Sequence, residues 1–324
     1  MIGRREFITL LGGAVSGWPL KTGAQERIPK IGLLRTNPPP DPFVDAFRDG
    51  MRVLGYEEGH TVLYEMRWAE GKPDRLPVLA ADLNGLNVDI ILTGGDTAIH
   101  AARNAAPATP IVMGASNDPV GAGFAHSLAR PGGMVTGLTI FSKELSQKRL
   151  ELFRETVPSL VRVALLINPS FPAALSETKA TEEAAQLLGV TMQPVTASDV
   201  DDLERALKSL TNSMVNGLIT LADPFFTAHR GRIVDLANAA RLPTMLHWRE
   251  FVQAGGLLSY GPDNVELYRR AANFVDKILK GAKPGDLPIE QPTKFVLAIN
   301  LKTARTLGIA VPQSVLFRAD EVIE

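Results

Sequence analysis

Three aspartates stand where a short apolar run gives way to small polar residues. Asp96 follows Gly94-Gly95 and precedes Thr97; Asp118 follows Ser116-Asn117 and precedes Pro119; Asp223 follows Ala222 and precedes Pro224. Carboxylates in such places can accept hydrogen bonds from a ligand ammonium group, or do acid–base work on a bound substrate. Asp-Pro is equally a turn and cap element, which explains Asp118 and Asp223 without any ligand. The hydroxyls of Thr97 and Ser116 can hydrogen-bond a small polar ligand, and Gly94 and Gly95 let backbone N–H groups come close to it. Asn37 follows an early apolar run and Asn168 mirrors it later in the chain, so each adds an amide to the same kind of loop. Trp248 and Tyr260 offer faces for an apolar or aromatic ligand. Phe225 could do so too, although core packing suits it better. Asn117 and Asp118 complete the candidate ligand set, with Asp118 read mainly as shaping the turn.

Other chemistry is excluded by what the sequence lacks. It contains no cysteine, which removes thiol nucleophiles, disulfides, Cys-ligated zinc and iron–sulfur clusters. The histidines at 60, 100, 126, 229 and 247 have no metal-like spacing, so neither a metal nor a cofactor is expected. No Gly-x-Ser-x-Gly elbow, P-loop or Gly-x-Gly-x-x-Gly after a strand occurs. A periplasmic α/β enzyme with Asp acid–base groups stays open as the alternative to simple binding.

The elements that position these residues follow from hydrophobic patterning. Residues 90–92 and 111–113 are apolar runs that end abruptly in polar loops, as buried parallel strands do. In open α/β sheets ligands bind at the carboxyl ends of such strands, so residues 88–124 should form half of a cleft. Upstream, residues 30–34 read as a strand. Asp41-Pro42 then starts a helix with Phe43, Phe47, Met51 and Leu54 at helical spacing. A strand at 61–68 and an Asp74-capped helix follow. A strand at 134–138 precedes a helix at 142–156 that leaves this first unit. The scheme restarts with a strand at 161–167, a helix ending at Gly189, a strand at 191–195 and an Asp199-capped helix. The strand at 217–221 runs into Asp223. Two similar α/β lobes facing each other explain this repetition.

The bulk numbers are those of an ordinary globular chain: 324 residues, 45% hydrophobic, 21% charged, formal net charge −1. No basic stripe marks a nucleic-acid partner. Gly3-Arg4-Arg5-Glu6-Phe7-Ile8 resembles a twin-arginine export signal, and Thr22-Gly23-Ala24 supplies small residues before a cut after Ala24. The intervening apolar stretch is broken by Gly12, Gly13, Gly17 and Pro19 and is too short for a bilayer of about 30 Å. Residues 1–24 are therefore expected to be a signal peptide, and the mature protein a soluble periplasmic monomer.

A family resemblance rests on Gly94-Gly95, Asn117-Asp118-Pro119-Val120, Arg130-Pro131-Gly132-Gly133, Val135-Thr136-Gly137 and Trp248-Arg249-Glu250-Phe251. It continues through Gly255-Gly256-Leu257-Leu258-Ser259-Tyr260-Gly261 and Gln291-Pro292-Thr293-Lys294-Phe295 to the ending 318–323. In this order the motifs resemble the tryptophan/aromatic-type ABC transporter substrate-binding proteins over residues 28–324. The resemblance implies an α/β fold of two Rossmann-like lobes joined by a multi-crossover hinge, the type I periplasmic-binding arrangement. It implies residues 28–142 plus 255–281 as the first lobe and 143–254 plus 282–324 as the second. A small-molecule ligand would sit between lobes that close on it, and an inner-membrane ABC permease would be the partner. Two departures from the family pattern, Phe171 after Asn168-Pro169 and the triple proline 38–40, could reshape the pocket.

Overall fold

The computed structural model describes residues 27–211 and 213–324. The expected export segment at 1–24 lies outside the described residues. The first lobe contains β1 (Lys30–Arg35), α1 (Pro42–Val53), β2 (Leu63–Trp68), α2 (Leu76–Gly85), β3 (Ile90–Gly94), α3 (Asp96–Ala105), β4 (Ile111–Ser116) and β5 (Val135–Thr139). Its strands form one parallel sheet in the order β2-β1-β3-β4-β5. Three of the strands, β3, β4 and β5, are buried on both faces, as strands of a parallel sheet are.

The second lobe starts with α4 (Ser146–Thr156), β6 (Arg162–Ile167), α5 (Ala174–Leu188), β7 (Thr191–Thr196), α6 (Val200–Leu210) and β8 (Gly217–Thr220). It continues with α7 (Pro224–Ala228), α8 (Arg230–Ala239), β9 (Thr244–Leu246), α9 (Arg249–Gln253) and β10 (Leu258–Pro262). The chain then forms α10 (Asn264–Leu279), β11 (Phe295–Asn300), α11 (Leu301–Leu307), α12 (Gln313–Leu316) and β12 (Glu321–Ile323). The second sheet runs β12-β11-β10-β9-β8-β6-β7, and only the β10–β11 pair is antiparallel.

The local signals act as the residue types dictate. Asp41 caps α1, its carboxylate accepting from Phe43 N at 2.9 Å, with Pro42 in the first turn. Asp199 caps α6 through Asp202 N. Gly189 ends α5 in the left-handed conformation. Asp74 departs from expectation: it lies in a 3-10 turn, Pro73–Arg75, and α2 has no side-chain cap. Pro77 in the first turn of α2 has no N–H to satisfy, so a cap there would have less to do.

The lobe boundary also needs correction. Residues 258–262 pair with β9 and β11 and belong to the second sheet, not the first. The Gly255-Gly256 pair makes the α9–β10 turn and not a crossing. The chain crosses at Asp263, which caps α10, and α10 packs on α1 and β4 of the first lobe. Residues 282–290 stay with the first lobe, where Glu290 N donates to Gly137 O at 2.9 Å. The chain therefore passes between lobes three times: after β5, after β10, and again before β11. The inner stripe of α10 (Leu267, Tyr268, Ala271, Phe274, Val275) is buried with Phe47 and Met51 of α1. At about 1.5–3 kcal/mol for each large apolar side chain, this packing fixes α10 on the first lobe.

Candidate functional site

The loops after β1, β3 and β4 face those after β8 and β9 across a cleft, and the first turns of α10 close its back. Its walls come from Arg35, Thr36 and Asn37, from Gly94 and Gly95, from Asn117, from Ala222, Pro224 and Thr227, and from Trp248, with Phe43, Asn264 and Tyr268 behind. About 510 Å³ of non-protein space, open solvent at the mouth included, lies between them.

On the first-lobe side the wall is built around Arg35, which is 6% exposed at the end of β1. Its Nε donates to Asp41 Oδ2 at 2.8 Å and its Nη1 donates to the Tyr268 hydroxyl. The guanidinium carbon lies 4.7 Å from the Tyr268 ring centroid, and Phe43 stacks on that ring at 5.3 Å. Burial works against the charge, yet Asp41 and Tyr268 hold the pKa above its ordinary value. Gly94 and Gly114 make this arrangement possible. A Cβ on Gly94 would overlap the Tyr268 hydroxyl, and one on Gly114 would overlap its ring. Thr36 Oγ1, Asn37 Oδ1 and Asn264 Oδ1 are buried on this wall with no hydrogen-bond partner among the described residues. Each such orphan costs about 1–3 kcal/mol, and a ligand offering donors would remove that cost.

The lobes touch beside the cleft. Asn117, just after β4, donates from its side-chain Nδ2 to Glu177 Oε1 at 2.5 Å and to Ala222 O at 3.2 Å. Both acceptors belong to the second lobe. Its backbone N–H and the Ser116 hydroxyl both donate to Asp96 Oδ1, at 3.0 and 2.8 Å. Pro224 Cγ comes within 2.9 Å of where a Cβ on Gly95 would lie. Glu177 accepts from Ala222 N as well and faces the buried Arg149, whose Nε donates to Tyr260 O at 2.7 Å. Burial pushes the Asp96 carboxyl up to about 6 and the Asp223 carboxyl up to about 7. It also raises Glu177, and it lowers Arg149 to about 10.

Of the residues singled out in the sequence, Asn37, Gly95, Asn117 and Trp248 line the cleft. Asp96 and Ser116 lie behind it and hold Asn117 in place. Thr97 is half-buried in the first turn of α3 and is not on the cleft wall. Asp118 accepts from Gly121 N at 2.9 Å and from Lys143 Nζ at 2.8 Å, as turn chemistry requires. Burial would raise its pKa, but the Lys143 contact brings it below the ordinary carboxylate value. Asn168 closes a turn through Ser170 N, and Asp223 caps α7 through Phe225 N. Tyr260 stacks on Phe295 in the second sheet, with ring centroids 5.9 Å apart, and does not reach the wall.

The two sequence departures also sit off the wall: Phe171 is buried in the second-lobe core and Pro38 to Pro40 are exposed. Buried His247 bonds Thr220 and Thr227, and burial keeps it neutral. Sequence reasoning missed Arg35, Thr36, Phe43, Thr227, Asn264 and Tyr268. An arginine directly after the run 31–34 was the available signal for Arg35.

Comparison with known proteins bears on this geometry. A family model described as ABC transporter substrate binding protein matches residues 36–323. A tyrosine-binding protein of Clostridioides difficile (strain R20291) is 24% identical over 279 residues, which is 86% of this chain and 80% of that one. A conserved domain protein of Vibrio cholerae has a structure similar to this one with a TM-score of 0.86 and 28% identity, over 91% of this chain and 100% of that chain. An ABC domain from Streptococcus pneumonia in complex with L-Trp also gives a TM-score of 0.86, at 25% identity, over 91% and 99% of the two chains.

Proposed function

The chain belongs to the ABC transporter substrate-binding protein family, and we propose that it captures an amino acid, an aromatic compound or a related carboxylate between its lobes for an inner-membrane ABC permease. The family is described by substrate binding, and two of the relatives above are named for a bound amino acid. The finer ligand class draws support from the tyrosine-binding relative and the L-Trp complex. The observation that carries the reading is the cleft itself. It places aromatic faces and unpartnered polar atoms between two lobes that already touch through Asn117.

A solute bridging the two walls lowers the free energy of the closed state and leaves the open state unchanged, which is what hinge capture requires. Trp248 and Phe43 would pack against its apolar body, while Thr36, Asn37, Thr227 and Asn264 would meet its polar groups. The protein would act outside the cytoplasmic membrane as a monomer, exported by the twin-arginine pattern at residues 1–24. No helix among the described residues is long and apolar enough to cross a membrane.

Intrinsic fluorescence tests the placement. Trp18 leaves with the proposed signal peptide, so Trp68 and Trp248 report. A solute from an amino-acid and aromatic-acid panel should change the emission of the wild type and not that of Trp248→Phe. A full response retained in Trp248→Phe removes Trp248 from the site.

A further inference from the structure

The charge inventory of the cleft narrows the ligand further, on the reading that the cleft captures a solute. Among the described residues, Arg35 is the one charged side chain on the wall; no aspartate or glutamate lines it. Arg35 is held on two sides, Nε by Asp41 and Nη1 by Tyr268, and its Nη2 has no hydrogen-bond partner among the described residues. A buried guanidinium with a fixed orientation and a free N–H pair is suited to a carboxylate, which it meets by charge-assisted hydrogen bonds.

Four carboxylates lie near the cleft. Asp41 has Oδ1 on the α1 N–H groups and Oδ2 on Arg35. Asp96 is held through Oδ1 by Ser116 and Asn117, Asp223 through Oδ1 by Phe225 N, and Glu177 by Asn117 and Ala222 N, while Asp96 Oδ2 and Asp223 Oδ2 are buried without a partner among the described residues. None of the four lies on the cleft wall. Burial raises Asp96, Asp223 and Glu177 towards their neutral forms, which further reduces any counter-charge behind the wall. An ammonium group here would meet the like charge of Arg35 and only neutral oxygens as acceptors, so its desolvation would be compensated only in part. The unpartnered Asn37 Oδ1 and Asn264 Oδ1 instead suit a neutral donor, such as a hydroxyl or a ring N–H.

We infer that the cleft selects a small carboxylic acid with an aromatic or apolar body and rejects a charged amine, with Arg35 as the specificity-determining side chain. The ligand class is then the des-amino counterpart of an aromatic amino acid. Tyrosine and L-Trp, named with the relatives, carry both charges.

Two matched series titrated calorimetrically into the wild-type protein separate the possibilities. One is 3-(4-hydroxyphenyl)propionate, L-tyrosine and tyramine; the other is indole-3-propionate, L-tryptophan and tryptamine. In at least one series the acid should bind about tenfold or more tighter than the amino acid, the scale of one charge-assisted contact, and the amine should not bind. Arg35→Lys keeps the charge but loses the planar fork, and should weaken the acid in a protein that still unfolds cooperatively. An amino acid that binds as tightly as its acid, or an amine that binds at all, overturns the inference and leaves solute capture standing. If all six fail and a wider metabolite panel yields a binder, an anionic binder supports the inference and a cationic or zwitterionic one overturns it. If nothing in the wider panel binds, capture itself fails.

Discussion

Asn117→Ala isolates the contact that joins the lobes. In the closed form the Asn117 amide donates to Glu177 and to the Ala222 carbonyl across the seam, and lobe opening breaks both bonds. A hydrogen bond of this kind is worth about 0.5–1.5 kcal/mol net. Taking about 2 kcal/mol for the pair, the closed population falls by roughly 30-fold relative to the open one, since each 1.4 kcal/mol is a factor of ten. The apparent affinity for the captured solute weakens by up to the same factor. Calorimetric titration reads the affinity, and small-angle X-ray scattering reads the radius of gyration without ligand. Because Asn117 also lines the cleft, lost affinity alone could reflect a missing ligand contact; expansion of the ligand-free protein separates the two. Glu177 is off the wall, and Glu177→Gln should move both readouts the same way by a smaller amount. Unchanged affinity together with an unchanged ligand-free radius would refute the latch.

Two further outcomes follow from the same geometry. Gly94→Ala places a methyl group in the Tyr268 hydroxyl, so Tyr268 must leave Arg35. Thermal melts should show a loss of about 1–3 kcal/mol with solute binding abolished, and a variant as stable as wild type would show that the close packing is not required. The second outcome concerns pH. Asp223 titrates near 7 in the folded chain against 3.8 ordinarily, chiefly through burial. Its protonated form is favoured by folding, so its contribution is complete below about pH 4 and is lost as pH rises towards 7. Asp96, near 6, has the same sign. Asp223→Asn keeps a good helix cap and should flatten the stability loss between pH 4 and 7 by up to about 4 kcal/mol; unfolding curves that still fall as steeply would show that Asp223 does not cause the slope.

What was legible in the sequence is what short-range physics controls. The strand ends were visible because apolar runs at 90–92 and 111–113 stop at small polar residues. The caps at Asp41, Asp199 and Gly189 were visible because each acts within four residues of itself. Asn37, Gly95, Asn117 and Trp248 fall on the cleft wall because they sit on loops that any α/β sheet presents at its carboxyl edge. What failed depends on contacts distant in sequence. Whether 258–262 pairs with the first or the second sheet is decided by β9 and β11, not by its own residues. Tyr268 reads as one more apolar position on α10 until Gly94 and Gly114 make room for it. Asp223 and Tyr260 stand off the cleft wall, because one caps a helix and the other packs on Phe295.

The claim that this chain captures a small organic solute by lobe closure is tested most directly by its thermal unfolding midpoint across a broad panel of amino acids, aromatic acids and small carboxylates. A captured solute at about 100 times its Kd adds about 2.7 kcal/mol, several degrees for a chain of this size, and the shift should grow with concentration. A midpoint that stays flat across the whole panel would contradict it.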